Sequence, residues 1–155
     1  ESEGYLHYEI SNFARMGFFC RHNTGYWEGM DYLGLGPSAV STLDGRRWSD
    51  PDDLAAWERA VAEGTLDRAP EVLTPAIRAR EMLMLRLRTS RGLRLADYQA
   101  LTGRSLAREQ ARLIKVLLAN DLVRLARGYL RLTPTGMLVS DTILARLFEA
   151  EGLDA

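Results

Sequence analysis

The chain has 155 residues, 46% of them hydrophobic, with a formal net charge of −1. That is enough for one medium domain or two small ones with a core of their own. Its single cysteine, Cys20, excludes a disulfide framework within the chain and an iron–sulfur cluster held by the chain alone, and fits a reducing compartment. No apolar stretch approaches the length of a membrane span. The charge is unevenly placed: residues 1–73 hold 6 Arg against 13 acids, and residues 74–148 hold 13 Arg and 1 Lys against 5 acids. An acidic front and a basic back suggest two structural units. The chain opens on Glu1-Ser2-Glu3-Gly4 without a starting Met or a signal peptide, so it is expected to be a piece of a longer protein.

Tyr5 to Ile10 mixes apolar and polar residues and predicts a short strand. Residues 11–31, rich in Asn, Gly and aromatics, predict a long loop, and Tyr32 to Leu35 a second strand. Ala39–Leu43 and Arg46–Ser49 flank Asp44-Gly45, a two-residue hairpin turn in which both positions tolerate positive φ. Ser49 or Asp50 is placed to cap a helix with Pro51 in its first turn, ending at Gly64. Thr74 caps a second, from Pro75 to about Arg88, with Ile77, Met82, Met84, Leu85 and Leu87 apolar. Leu95–Leu101 predicts a short helix ended near Gly103, and Ser105 caps a longer one reaching about Asn120. Leu122–Ala126 and Tyr129–Thr133 predict two strands around Arg127-Gly128, and a last helix runs from Pro134 to about Ala150. The boundary between the two units is expected at Leu66–Thr74. After residue 74 the order helix, helix, helix, hairpin, helix is that of a winged helix-turn-helix domain.

The densest chemistry lies in the segment from Tyr8 to Leu33, at His22-Asn23-x-x-Tyr26-Trp27. An imidazole beside two large rings and an amide can hold a flat apolar ligand, with His22 as axial ligand to haem iron; the plainer reading is a His that ties a loop to nearby backbone. Cys20 and His22 are too few for a zinc site, and no third group orients a Cys-His catalytic pair. Gly34-Leu35-Gly36-Pro37-Ser38-Ala39 is a glycine-rich turn after a strand, but a hairpin follows it where a phosphate loop needs a helix N-terminus. Asp52 and Asp53 meet the dipole of a first helical turn and need no catalytic role. Arg108, Arg112 and Lys115 fall on one face of the helix after Ser105, opposite Leu106, Ile114, Leu117 and Leu118. With Arg124, Arg127 and Arg131 they outline a nucleic-acid-binding winged helix. Base readout wants amides or hydroxyls beside the Arg, and only Gln110 is offered, so a solvated basic face over an ordinary core is preferred.

Three stretches together resemble a known family: Tyr8-Glu9-Ile10-Ser11-Asn12-Phe13-Ala14, Cys20-Arg21-His22-Asn23 with Tyr26-Trp27, and Asp31-Tyr32-Leu33-Gly34-Leu35-Gly36-Pro37-Ser38-Ala39. With Leu132-Thr133-x-x-Gly136 they are similar to the C-terminal part of the oxygen-independent coproporphyrinogen III oxidase-like radical S-adenosylmethionine proteins, and the His-Asn-x-x-Tyr-Trp motif to their haem-chaperone branch. The resemblance implies an α+β fold: terminal strands of a partial radical S-adenosylmethionine barrel with a hairpin, then a mostly helical winged-helix-like domain. The segments would be 1–50 (barrel strands and hairpin), 51–73 (connecting helix and linker) and 74–155 (winged-helix-like domain). It also implies a [4Fe–4S] cluster and S-adenosylmethionine held by a three-cysteine motif elsewhere in the intact protein, so that this segment alone is not an enzyme. By resemblance His22 contacts haem iron, with Asn23, Tyr26 and Trp27 completing the haem site and Glu9, Gly34, Gly36, Ser38 and Ala39 near the ligand. Where the family commonly has Gly-Ala-His-Ser, the chain has Ser38-Ala39-Val40-Ser41, so a second histidine is absent.

The implied function is haem binding and delivery to haem-accepting respiratory proteins, in the cytoplasm or at the membrane through those partners. The alternatives are an oxygen-independent coproporphyrinogen III oxidase and a winged-helix nucleic-acid binder. Barrel strands with open edges would also allow pairing into a dimer.

Overall fold

A computed structural model describes residues 3–66 and 69–151. The chain begins with strands β1 (Tyr5–Glu9) and β2 (Asn12–Arg15) and helix α1 (Arg21–Trp27). Strands β3 (Val40–Leu43) and β4 (Arg46–Ser49), helix α2 (Leu54–Glu63) and strand β5 (Glu71–Val72) follow. Then come α3 (Pro75–Leu87), β6 (Leu93–Arg94), α4 (Leu95–Thr102), α5 (Leu106–Glu109) and α6 (Ala111–Ala119). The hairpin of β7 (Val123–Ala126) and β8 (Tyr129–Leu132) leads to α7 (Pro134–Leu138) and α8 (Ser140–Glu151). The architecture is α+β, with small antiparallel sheets among helices. Two compact units are distinguished: residues up to Gly29 together with those from Pro75 on, and Met30–Thr74. The cut after Gly29 falls inside segment 1–50, and residues 67 and 68, within the Leu66–Thr74 boundary, lie outside the described residues.

The first unit has one apolar core. On α3 it is built from Ala79, Leu83 and Leu87, four residues apart and so on one helix face, all buried. Leu93, Tyr98, Leu106 and Ile114 close on them, as do Leu130 and Leu147. Strands β6, β8 and β7 form a three-stranded sheet in that order. Its β7–β8 turn has Arg127 at φ 52 and Gly128 at φ 78, the positive-φ geometry of a tight hairpin. Thr133 caps α7 by accepting from the Gly136 amide at 3.0 Å, while its hydroxyl donates to the Asp121 carbonyl at 2.7 Å. A Cβ on Gly136 would stand 1.9 Å from the Leu122 carbonyl oxygen. The Leu132-Thr133-x-x-Gly136 signature thus has a mechanical reason: a capping hydroxyl, then a residue with no side chain where α7 crosses the backbone.

The N-terminal hairpin belongs to the same unit. Its register pairs Tyr5 with Arg15, Leu6 with Ala14 and His7 with Phe13, with an irregularity between His7 and Glu9. It is tied to the end of α3: the Ile10 amide donates to the Arg88 carbonyl at 2.9 Å and the Ser90 amide to the Tyr8 carbonyl at 3.1 Å.

The second unit holds sheet β3–β4–β5 and α2. Asp44 (φ 51) and Gly45 (φ 74) make the predicted hairpin turn. Tyr32 forms an isolated bridge with Thr42; Gly34 then passes so close to β3 that a Cβ there would meet the Val40 carbonyl oxygen, and the chain turns at Gly36–Ser38, where the Ala39 amide donates to the Gly36 carbonyl at 3.2 Å.

Several sequence expectations are corrected. Residues 11–31 are not one long loop: they contain β2 and α1, each too short for periodicity to register. Tyr32–Leu35 is not a strand: it pairs with β3 through the single Tyr32–Thr42 bridge, and the Gly34 amide donates to the Ser41 hydroxyl instead of to backbone. The α2 cap is Asp53, whose Oδ1 accepts from the Ala56 amide at 2.7 Å, and not Ser49 or Asp50; Ser49 closes β4, and the Asp50 carboxylate accepts from Trp57 Nε1 at 3.3 Å. The helix after Ser105 breaks at Gln110 and the last helix at Val139. The break divides the expected basic stripe, with Arg108 on α5 and Arg112 and Lys115 on α6. Gln110 is buried and Leu118 exposed, the reverse of their expected places. The two-residue strands β5 and β6 carry no sequence signal, since pairing with β4 and β8 alone defines them.

Candidate functional site

The motif residues His22, Asn23, Tyr26 and Trp27 all lie on α1. Seven residues form no stable helix by themselves, because nucleation is costly and few bonds repay it; α1 therefore depends on tethers. Cys20 supplies its N-cap, with Sγ accepting from the Asn23 amide at 3.5 Å. Asn23 Nδ2 donates to the Tyr8 hydroxyl at 3.2 Å, and the Tyr8 ring stacks on Phe19 at 4.8 Å. At the far end, Arg86 Nη2 donates to the Glu28 carbonyl at 2.9 Å, placing a cation on a helix C-terminus where the dipole favours it. The roles predicted for these residues thus separate. Asn23 and Cys20 hold the helix, whereas His22 is exposed and meets the Tyr26 ring edge-on at 4.7 Å and 81°.

Buried polar atoms without a hydrogen-bond partner gather in this segment. They include His7 Nε2, Glu9 Oε1, Thr24 Oγ1 and Trp27 Nε1. Such atoms are costly and rare in finished interiors. Glu9 is fully buried, and its Oε2 accepts only at long range, from the Ser11 amide at 3.3 Å. His7 lies flat on Phe13 at 4.4 Å. Around these groups large apolar side chains face outward, Met16 at 77% and Phe18 at 79% exposure, with Phe13 and Phe19 beside them in sequence. The sequence reading missed Met16, Phe18 and Phe19; their spacing in a presumed loop carried no signal.

Gly34, Gly36, Ser38 and Ala39 belong to the second unit. There they shape a backbone turn: the Gly34 amide donates to Ser41 Oγ at 3.1 Å, the Ser38 amide to the Pro51 carbonyl at 2.8 Å, and the Asp50 amide to the Ala39 carbonyl at 2.9 Å. Val40 opens β3. Among the described residues no group of three His, Cys, Asp or Glu side chains is placed to hold a metal ion, and no helix is long and apolar enough to cross a membrane. With its single cysteine the chain does not fit a [4Fe–4S] cluster.

Residues 73–139 match the model of the HemN C-terminal domain. The match runs from just before α3 through α7, including sheet β6–β8–β7. The chain is 30% identical over 166 residues to a protein of Synechocystis sp. named heme chaperone HemW, covering 95% of the chain and 40% of the relative. It is 33% identical over 145 residues to the heme chaperone HemW of Mycobacterium tuberculosis, covering 93% and 35%. In Bos taurus a mitochondrial radical S-adenosyl methionine domain-containing protein 1 is 29% identical over 158 residues, covering 93% and 35%. Among solved structures the coproporphyrinogen III oxidase HemN of Escherichia coli, described as a radical SAM enzyme, superposes with a TM-score of 0.68 at 20% identity. It covers 94% of the chain and 37% of that structure. The chain thus resembles the C-terminal part of HemW and HemN proteins and spans two fifths or less of their length.

Proposed function

We propose that the protein to which this segment belongs is a haem chaperone, with α1 as its haem-contacting element. The observation that carries the reading is the exposed imidazole of His22 on a short helix tethered at both ends. Outward-facing aromatic and thioether side chains surround it in sequence, and the relatives at 30% and 33% identity are named heme chaperone HemW. These residues fit haem: an imidazole nitrogen open to solvent can approach an iron, and exposed apolar faces can cover a macrocycle. When bound, haem supplies an iron that accepts an imidazole as axial ligand. Asn23 fixes the helix against Tyr8, Tyr26 orients the His22 ring edge-on, and Trp27 completes the motif with a buried indole nitrogen that has no hydrogen-bond partner.

On this reading the [4Fe–4S] cluster and S-adenosylmethionine belong to a part of the intact protein outside this segment. Residues 74–155 form a winged-helix-like domain, and residues 1–50 contribute terminal barrel strands and a hairpin. Delivery to haem-requiring respiratory proteins, in the cytoplasm, completes the proposal. Nucleic acid is not the partner we propose: Gln110 is buried, and Arg124 is paired with Asp121 at 2.8 Å.

The test is a haem titration of the full-length protein and its His22→Ala variant, followed at the Soret band. We expect the variant to shift the band and weaken binding at least tenfold. Identical spectra and affinity would remove His22 from the site.

A further inference from the structure

Just beyond the C-terminal end of α1 lies a cleft of about 200 Å³, entirely within the first unit, lined among others by Glu28, Arg86, Arg91, Arg94, Asp97 and Tyr129. Three guanidiniums face two carboxylates there, leaving one positive charge in excess. Arg86 and Arg91 share Glu28, at 3.6 Å and 3.2 Å from its Oε1, and Arg94 donates to Asp97 Oδ1 at 3.3 Å. Arg91 Nη2 approaches the Tyr129 hydroxyl at 3.5 Å. That hydroxyl, with Glu28 and Asp97, holds the Arg91 guanidinium above its ordinary value against the opposing effect of burial.

A guanidinium carries five N–H donors in a fixed fork, and the contacts named here use only a few of them. The Arg91 and Arg94 side chains are 67% and 57% exposed, so their remaining donors are open to solvent. The backbone beneath them is held in the sheet. Arg94 pairs across the sheet with Tyr129, and Leu93 with Leu130. Gly92, between the two arginines, has φ +75, and a Cβ there would lie 2.4 Å from the Leu130 carbonyl oxygen. Arginine donors on so fixed a frame suit a carboxylate, which they can hold in bidentate fashion.

We propose that this cleft receives a carboxylate of the haem propionates, with Arg91 and Arg94 as its donors. The inference rests on the haem reading of α1 and adds the polar end of the ligand to it. Glu28, on the rim of the cleft, follows α1 only six residues after His22, a helical rise of ~9 Å, so the imidazole and the cleft are carried by one short helix and its end. Free haem brings carboxylates to this cleft, whereas its dimethyl ester presents the same macrocycle and iron without their charge.

The experiment titrates the full-length protein with haem and with haem dimethyl ester, and repeats both with the Arg91→Gln/Arg94→Gln variant. The wild-type protein is expected to bind the free acid about tenfold or more tightly than the diester, the scale of one lost charge-assisted hydrogen bond. The variant should bind the two equally. A wild-type protein that binds haem but does not discriminate, or a variant that keeps the discrimination, overturns the carboxylate site and leaves the haem reading standing. Failure of wild-type protein to bind either compound overturns both. The wild-type comparison requires no substitution, so a misfolded variant does not shelter the proposal.

Discussion

Replacing Arg86 by Met should loosen α1 while leaving the α-helical core intact. Arg86 reaches from α3 to the Glu28 carbonyl at 2.9 Å and lies 3.6 Å from the Glu28 carboxylate. Met keeps much of the aliphatic stem and removes the charge and the donors. A hydrogen bond from a charged group contributes about 1.5–3 kcal/mol. The Arg86 side chain is 25% exposed, and water can replace part of its contact, so the lower end applies. About 1.4 kcal/mol is tenfold in an equilibrium, and α1 should therefore open roughly tenfold more often. The amides to watch are Glu28, bonded to the Thr24 carbonyl at 2.9 Å, and Gly29, bonded to the Tyr26 carbonyl at 3.0 Å. Hydrogen exchange at both should speed by that factor, with the α3 stretch around buried Leu83 unchanged. Unchanged exchange in α1, or an equal rise through α3, would show that α1 does not depend on this tether.

Two further outcomes are expected. Gly136→Ala should cost about 1–3 kcal/mol in denaturant unfolding, as overpacking does, because the Cβ would meet the Leu122 carbonyl oxygen at 1.9 Å. Alanine's better helix propensity, ~1 kcal/mol, argues the other way, so a stabilised variant would show that the α7 crossing relaxes freely. Thr133→Ala removes the α7 cap and the donor to Asp121 and should cost about 1–2 kcal/mol. Thr133→Ser, which keeps the hydroxyl, should recover most of it in the same melt, and failure to do so would assign the loss to the methyl group's packing.

Punctuation residues made much of the fold legible. Thr74-Pro75 marks the start of α3, and Gly103 ends α4 at φ 71. Arg127-Gly128 and Asp44-Gly45 sit at the tips of their hairpins. Each is a local preference of a few backbone angles, and such preferences operate wherever the chain runs. Helices read as continuous broke at Gln110 and Val139 because apolar periodicity does not record a change of axis that packing imposes. Tyr98 and Leu83 are fully buried, yet nothing in their immediate neighbours sets them apart from Leu118, which is exposed.

The candidate site divides in the same way. The sequence determined its chemical inventory, with His22, Asn23, Tyr26 and Trp27 within six consecutive residues, and the family signature around them. That these form a helix was decided by tertiary contacts. The bond from Asn23 to Tyr8 spans fifteen positions and that from Arg86 to Glu28 fifty-eight, and a seven-residue helix has no stability without them. The arginine cleft is likewise a product of the fold alone. It gathers Glu28, Arg86, Arg91 and Tyr129 from a helix end, a second helix, a loop and a strand, and no reading of neighbours along the chain brings such distant charges together.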